Sequence, residues 1–181
     1  VDIIDASNLE RSLYVATQLR ELDCKVLFAL NMADLARSRG MKIDAEKLSQ
    51  LLDVPVVFTV GNKNEGIEVL LKQAVNLAQT DAKTPKKRNV KYSKDIESAI
   101  TRLQQFIEEK TDGNTPYNPR WTSIKLIEDD KIIKERILQS ANGPGLEILQ
   151  TTQALRKHLE QRFDDDPQIV MTDERYGFIA G

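Results

Sequence analysis

The chain has 181 residues, of which 40% are apolar and 30% charged, a balance that fits one ordinary globular domain or two small ones. Its net charge of -2 supplies no basic field, so nucleic acid is not an expected partner. The one cysteine, Cys24, excludes an internal disulfide and a thiolate-rich metal centre, and with one histidine, His158, a histidine-based metal site is not expected.

The opening residues, VDIIDASN, have neither the basic segment nor the small-residue cleavage site of a signal peptide. No apolar run reaches the ~20 residues of a membrane span. The sequence therefore predicts a soluble segment in a reducing compartment. Val1–Asp5 starts extended and apolar. Leu9–Leu22 follows with Leu9, Leu13, Ala16 and Leu19 at helical spacing, so one face is buried, and Asn8 or Ser7 is placed to cap it. The run KVLFAL, Lys25–Leu30, is continuously apolar, as a strand covered on both faces requires. Asp44–Leu52 reads as a short helix capped by Asp44, with Leu48, Leu51 and Leu52 inward. Val54–Val60 is a third strand, with Pro55 at its start where a missing N–H is tolerated. Glu68–Gln79 is a helix entered through Gly66. Right-handed crossovers make these strands parallel, with their carboxyl ends at one edge.

Residues 80–91, TDAKTPKKRNVK, are polar, basic and broken by Pro85, and read as a linker. Beyond Tyr92 the strand signal fades. Ile96, Ile100, Leu103, Phe106 and Ile107 mark one helix, and Thr111–Pro119 is a loop. Trp121–Glu128 and Lys131–Leu138 are short helices, and Asn142–Gly145 is a turn. Leu146–Phe163 is a longer helix with Leu146, Leu149, Ala154, Leu155 and Leu159 apolar, and Pro167 restarts the chain toward a last helix ending near Ile179. The expected division is 1–79, an α/β unit with a parallel sheet and flanking helices; 80–91, the linker; and 92–181, an all-helical bundle.

Chemistry concentrates at Asn31-Met32-Ala33-Asp34, directly after KVLFAL. In open parallel sheets, ligands bind just past the carboxyl ends of strands. An aspartate there accepts two hydrogen bonds from guanine, from the ring N1–H and the exocyclic amine. Adenine has no such pair of donors, and an acceptor left unpaired against it rejects it. The Asn31 amide both donates and accepts, so it ties the neighbouring loop. Met32 has a soft stem that suits a purine face. The plainer reading is a helix start, with Asp34 capping a helix that begins at Leu35. The next strand ends in Thr59-Val60-Gly61-Asn62, a loop with backbone N–H groups for the guanine carbonyl oxygen. Plain turn chemistry is the alternative for Gly61 and Gly66. The candidate guanine-binding residues are thus Asn31, Met32, Ala33, Asp34, Thr59, Val60 and Gly61.

The same residues carry a family resemblance. Asp5, Asn8, Leu9, Glu10, Arg11, Leu13 and Tyr14, then Asn31, Met32 and Asp34, then Lys42, Ile43, Asp44 and Leu48, are similar in order to the nucleotide-binding (G) domain of the bacterial ferrous-iron transport proteins of the B type, the FeoB family. Met32 stands where most small GTPases carry lysine. Tyr117-Asn118-Pro119-Arg120-Trp121 with Lys125-Leu126 resembles that family's helical domain, and Asp173-Glu174-Arg175-Tyr176 its last cytoplasmic helix. The resemblance implies a partial P-loop GTPase-type sheet followed by a helical bundle. It implies GTP or GDP as ligand, Mg2+ in the complete domain, and a helical domain that couples nucleotide state to Fe2+ uptake. Implied partners are the membrane domain of the same protein, small Feo accessory proteins and a further copy of the chain. The implied location is the cytoplasmic face of the bacterial inner membrane.

The sequence departs from the family at Thr59-Val60-Gly61, where a Ser-Ala-like pair is usual; a β-branched Val60 still supplies its backbone N–H. No G-x-x-x-x-G-K-S/T and no D-x-x-G occurs, so the phosphate-binding loop, its lysine and the Mg2+ ligand are expected upstream of Val1. The segment by itself is expected to be inactive and to hold no catalytic residue. The rival reading is a docking or regulatory module with a degenerate nucleotide site. Lys83, Lys86, Lys87, Arg88 and Lys91 read as a solvated linker, with an anionic membrane surface as the alternative. Asp164-Asp165-Asp166 reads as a helix-start cap before Pro167 rather than as iron ligands. His158 is expected to be exposed, Tyr117 and Trp121 to be core, and Cys24 to be buried and inert.

Overall fold

The computed structural model describes residues 1–22, 24–80, 90–113, 115–140 and 143–180. The chain divides into two compact units, Val1–Asn89 and Val90–Gly181. Residues 81–89 of the expected linker, with Lys83, Lys86, Lys87 and Arg88, lie outside the described residues, as does Asn142 of the expected turn.

In the first unit, β1 (Asp2–Asp5), β2 (Phe28–Asn31) and β3 (Val56–Phe58) form a parallel sheet in the order β1-β2-β3. The register pairs Ile4 with Leu30 and Leu30 with Phe58. β2 is central, and Val26 through Leu30 are all buried, which is why that run had to be apolar without alternation. Helix α1 (Leu9–Glu21) joins β1 to β2; α2 (Ala33–Ser38) and α3 (Ala45–Leu52) join β2 to β3; α4 (Ile67–Gln79) follows.

Local chemistry differs from expectation at several points. Neither Asn8 nor Ser7 caps α1 through its side chain. Asp5 instead caps the short 3-10 turn Ala6–Asn8, accepting from Ser7 N and Ser7 Oγ at 2.8 Å each. Asp44 does cap α3, accepting from Lys47 N at 2.9 Å. Leu52 is buried there while Leu51 is exposed, because adjacent helical residues point about 100° apart and α3 buries one narrow stripe. Cys24 is exposed rather than buried, since the buried run starts only at Val26. Gly66 opens α4 at φ +75°, and a Cβ there would lie 2.1 Å from Phe58 O; both facts demand glycine.

The second unit is a helical bundle: α5 (Lys94–Lys110), α6 (Pro119–Ile127), α7 (Lys131–Ser140), α8 (Gly145–Phe163) and α9 (Pro167–Ala180). Ile96, Ile100, Leu103 and Ile107 of α5 pack with Ile124 and Ile127 of α6, Ile148 and Leu159 of α8, and Met171 of α9. Each such side chain contributes ~1.5–3 kcal/mol on burial. Leu146, expected on the apolar stripe of α8, is exposed, although Gly145 and Ile148 on either side of it are buried; it points away from the face that meets the core. His158 is exposed.

The Tyr117–Trp121 motif is explained by local structure. Asn118 caps α6 by accepting from Trp121 N at 3.1 Å, Pro119 takes the first helical position, and Tyr117 packs on Trp121 with ring centroids 5.3 Å apart. Arg120 binds both carboxylate oxygens of Glu97 at 2.8 and 2.9 Å. In the acidic run, Asp164 ends α8 in the left-handed conformation. Asp166 accepts from Gln168 N at 2.8 Å and pairs with Arg156 at 3.2 Å. The run is therefore a helix boundary with a basic partner.

Candidate functional site: two loops at the carboxyl edge of the sheet

Because β2 and β3 are parallel neighbours, the loops that leave them emerge side by side. Thr59 N donates to Leu30 O at 2.9 Å, extending the pairing just past β3. The Asn31 side chain then bridges the loops. Its Oδ1 accepts from Gly61 N at 3.0 Å and from Thr59 Oγ1 at 3.3 Å. Ala33 N donates to Thr59 O at 3.3 Å. A Cβ on Gly61 would lie 3.5 Å from Asn31 Oδ1, an ordinary contact.

Met32 adopts the left-handed conformation, φ 58° and ψ 33°, which costs a non-glycine residue roughly 1–2 kcal/mol. That turn redirects the chain from β2 into α2 and leaves the Met32 side chain exposed. Asp34 therefore lies within the first turn of α2, and the capping position falls to Met32; the reading of Asp34 as a cap for a helix starting at Leu35 is corrected. The Asp34 carboxylate accepts from Leu35 N at 2.9 Å through Oδ1 and from Lys63 Nζ at 2.7 Å through Oδ2. Lys63 closes the 3-10 turn Gly61–Lys63. Its hydrogen bond is the main reason that the Asp34 carboxyl is held below the usual carboxylate range. Reciprocally, Asp34 raises the Lys63 ammonium.

The structure thus brings Asn31, Ala33, Thr59 and Gly61 into mutual hydrogen bonding, with Met32 and Asp34 on the same loop. The Val60 N–H is engaged differently from the sequence reading: it donates to Glu65 O at 3.0 Å, inside a bridge that closes the loop. Lys63 was not among the sequence candidates. Its separation from Asp34 is 29 positions, and no spacing rule links two loops of different strands. A cavity of about 320 Å³ on the apolar flank of α2 is lined by Ala33, Ala36, Met41, Ile43 and Phe58 among others. Ala33 is its one link to the candidate loops.

Two family models match the chain: the FeoB cytosolic helical domain over residues 92–181 and ferrous iron transport protein B over residues 1–74. The Fe(2+) transport protein A/Fe(2+) transporter FeoB fusion protein of Porphyromonas gingivalis is 31% identical over 185 residues, covering 100% of this chain and 21% of that protein. The Fe(2+) transporter FeoB of Salmonella typhimurium is 32% identical over 181 residues, with 99% and 21% covered. A crystal structure of a mutant of S. thermophilus NFeoB bound to GDP matches with a TM-score of 0.84 at 30% identity, over 98% of this chain and 64% of that one. The chain spans about a fifth of the length of the curated relatives it matches.

Proposed function

The chain belongs to the FeoB family of ferrous iron transport proteins, and from that premise we propose that its first unit is the guanine-reading part of a GTP-hydrolysing domain whose state governs Fe2+ uptake. Asp34 reads the base by accepting from the guanine N1–H and exocyclic amine. Asn31 holds the Thr59–Gly61 loop beside it, and Met32 covers a purine face with its exposed side chain. The observation that carries this reading is the double acceptance by Asn31 Oδ1 from Gly61 N and Thr59 Oγ1. It locks together the two loops that must face one ligand, next to an ionised carboxylate.

The phosphate-binding loop belongs, in this reading, to a further part of the domain that packs on the open edge of β1. β1 is an edge strand and its Ile3 is 70% exposed, an apolar edge that calls for a cover. Among the described residues there is no group of three or more His, Cys, Asp or Glu able to hold a metal ion. Mg2+ would, in this reading, be held with the nucleotide phosphates by that further part of the domain, and no step of this proposal runs through it. No helix of the described residues is long and apolar enough to cross a membrane. In this reading the helical unit couples the nucleotide state to Fe2+ uptake, which requires that the two states differ in their free energy of interaction with what they couple to.

A second reading, a docking module with a degenerate nucleotide site, is favoured by one observation: Val60 N–H is occupied by Glu65 O. One titration separates the two. In the natural full-length protein, wild type binds GDP over XDP, and Asp34→Asn reverses the preference, because an amide donates to the xanthine 2-carbonyl. A preference that does not move with Asp34→Asn leaves the docking reading.

A further inference from the structure

The tetrapeptide that follows β2 has an uncharged residue, Met32, between Asn31 and Asp34. A lysine nevertheless reaches the same carboxylate from the other loop. Lys63 Nζ lies 2.7 Å from Asp34 Oδ2, with the side chains 52% and 36% exposed. Exposed ion pairs of this kind are usually incidental. This one joins two groups that are each already constrained. Asp34 is fixed on its other oxygen by Leu35 N at 2.9 Å. Lys63 is carried on a turn pinned at three places: Lys63 N donates to Val60 O at 3.0 Å, Val60 N to Glu65 O at 3.0 Å, and Gly61 N to Asn31 Oδ1 at 3.0 Å.

A carboxylate has about four lone-pair directions, two on each oxygen. Leu35 N uses one on Oδ1 and Lys63 Nζ one on Oδ2, and the Asp34 backbone also hydrogen-bonds its own carboxylate. The two oxygens, held in a fixed orientation by these contacts, are the acceptor pair that a ligand with two parallel N–H donors needs.

We infer that Lys63 is a positioning residue for base recognition: it orients the Asp34 carboxylate so that its two oxygens face the two donors of a guanine ring, supplying from the second loop the cation that position 32 lacks. This rests on the reading of Asp34 as the base reader. Lys63 also favours the charged form of Asp34, whose carboxyl it holds below the usual range. The other charged groups near the pair are Glu65, which supports the Lys63 ammonium, and Arg37, which opposes it.

The test uses the natural full-length protein and calorimetric titration with GDP and XDP from pH 7.5 down to about 4, near the unperturbed aspartate value. The variants are Lys63→Met, Lys63→Arg, Asp34→Asn and the double variant, with circular dichroism verifying the fold of each. Lys63→Met should weaken GDP binding roughly two- to five-fold at neutral pH, the range of an exposed pair. The loss should deepen toward pH 4, because the Asp34 carboxyl returns to its ordinary range and protonates at higher pH than in wild type. Titration of the GDP phosphate is common to all variants and cancels in the ratio. Lys63→Arg should restore binding. In the Asp34→Asn background, Lys63→Met should leave XDP affinity unchanged, since an amide gains nothing from a lysine. GDP affinity indifferent to Lys63→Met overturns the inference. So does tighter binding, which would make Lys63 a competitor for the same oxygens. So does an equal loss for XDP in the Asp34→Asn background, which would make Lys63 a loop brace. With any of these, an intact GDP-to-XDP swap leaves the wider reading standing. If the swap itself fails, both fall together.

Discussion

Arg175 of α9 is completely buried, and its guanidinium donates to the carboxylate of Glu128 at the end of α6. Its neighbour Glu174 accepts from Ser93 N at 2.7 Å, just before α5. Two successive residues thus fasten α9 to the end of α6 and to the entry of α5. Glu128 also meets Lys125 Nζ at 2.8 Å, and Arg175 lies over the Tyr92 ring at 5.6 Å. Breaking a buried pair from one side costs ~3–5 kcal/mol, whereas replacing both partners by apolar residues is often neutral. Glu128→Gln should destabilise the second unit by about that amount. Arg175→Met should cost less, because Lys125 still neutralises Glu128, and Arg175→Met with Glu128→Leu should recover most of the loss. Urea denaturation followed by Trp121, the single tryptophan, reports on this unit. Equal and additive losses would remove the pair as the cause.

Asn31→Ala removes the acceptor shared by Gly61 N and Thr59 Oγ1. Each lost hydrogen bond with a stranded donor costs ~1–3 kcal/mol, so GDP affinity of the full-length protein should fall at least about tenfold. Amide exchange at Gly61 should quicken in parallel. Unchanged affinity would mean that the loops are aligned by the sheet alone.

The two glycines of the second loop should respond oppositely to alanine. At Gly66, φ +75° and a Cβ 2.1 Å from Phe58 O predict a loss of more than about 2 kcal/mol and slippage of the entry to α4. At Gly61, where a Cβ finds 3.5 Å to Asn31 Oδ1, the change should stay within roughly 0.5 kcal/mol. Thermal melting of the two variants decides; similar losses would contradict the assigned geometry.

The Asp34–Lys63 pair also sets a pH signature for stability. The Asp34 carboxyl is lowered, so its contribution is present above the ordinary aspartate range and is lost as pH falls through its lowered folded value. The Lys63 ammonium is raised, so its contribution is present below the ordinary lysine value and is lost as pH rises through the raised one. The difference in urea midpoint between wild type and Lys63→Met should therefore be flat through neutral pH and shrink at both extremes. A difference that persists under strong acid would assign the effect to packing of the lysine stem.

At the cap of α6, Asn118→Ala should cost ~1 kcal/mol, visible in the same Trp121 signal, while Asn118→Asp keeps the acceptor and most of the stability. Equal effects of the two would show that Trp121 N has another adequate partner.

The sequence by itself determined the pieces whose signals are local or periodic. The apolar run before Asn31 had to be a central strand because both its faces are covered. Asp44 could be recognised as a cap, and the Tyr117–Trp121 motif could be placed at a helix start, because caps and turns act over three or four residues. The candidate loops after β2 and β3 were legible for the same reason: strand ends are visible, and parallel topology collects them at one edge. Tertiary structure alone decided the rest. Asp5 rather than Asn8 or Ser7 does the capping before α1, and Cys24 and Leu146 face solvent, because burial depends on where packing stops and on which face of a helix meets the core. Val60 N–H turns to Glu65, Lys63 reaches Asp34, and Arg175 finds Glu128 because these contacts join segments distant in sequence, which become neighbours only once the sheet and the bundle have closed.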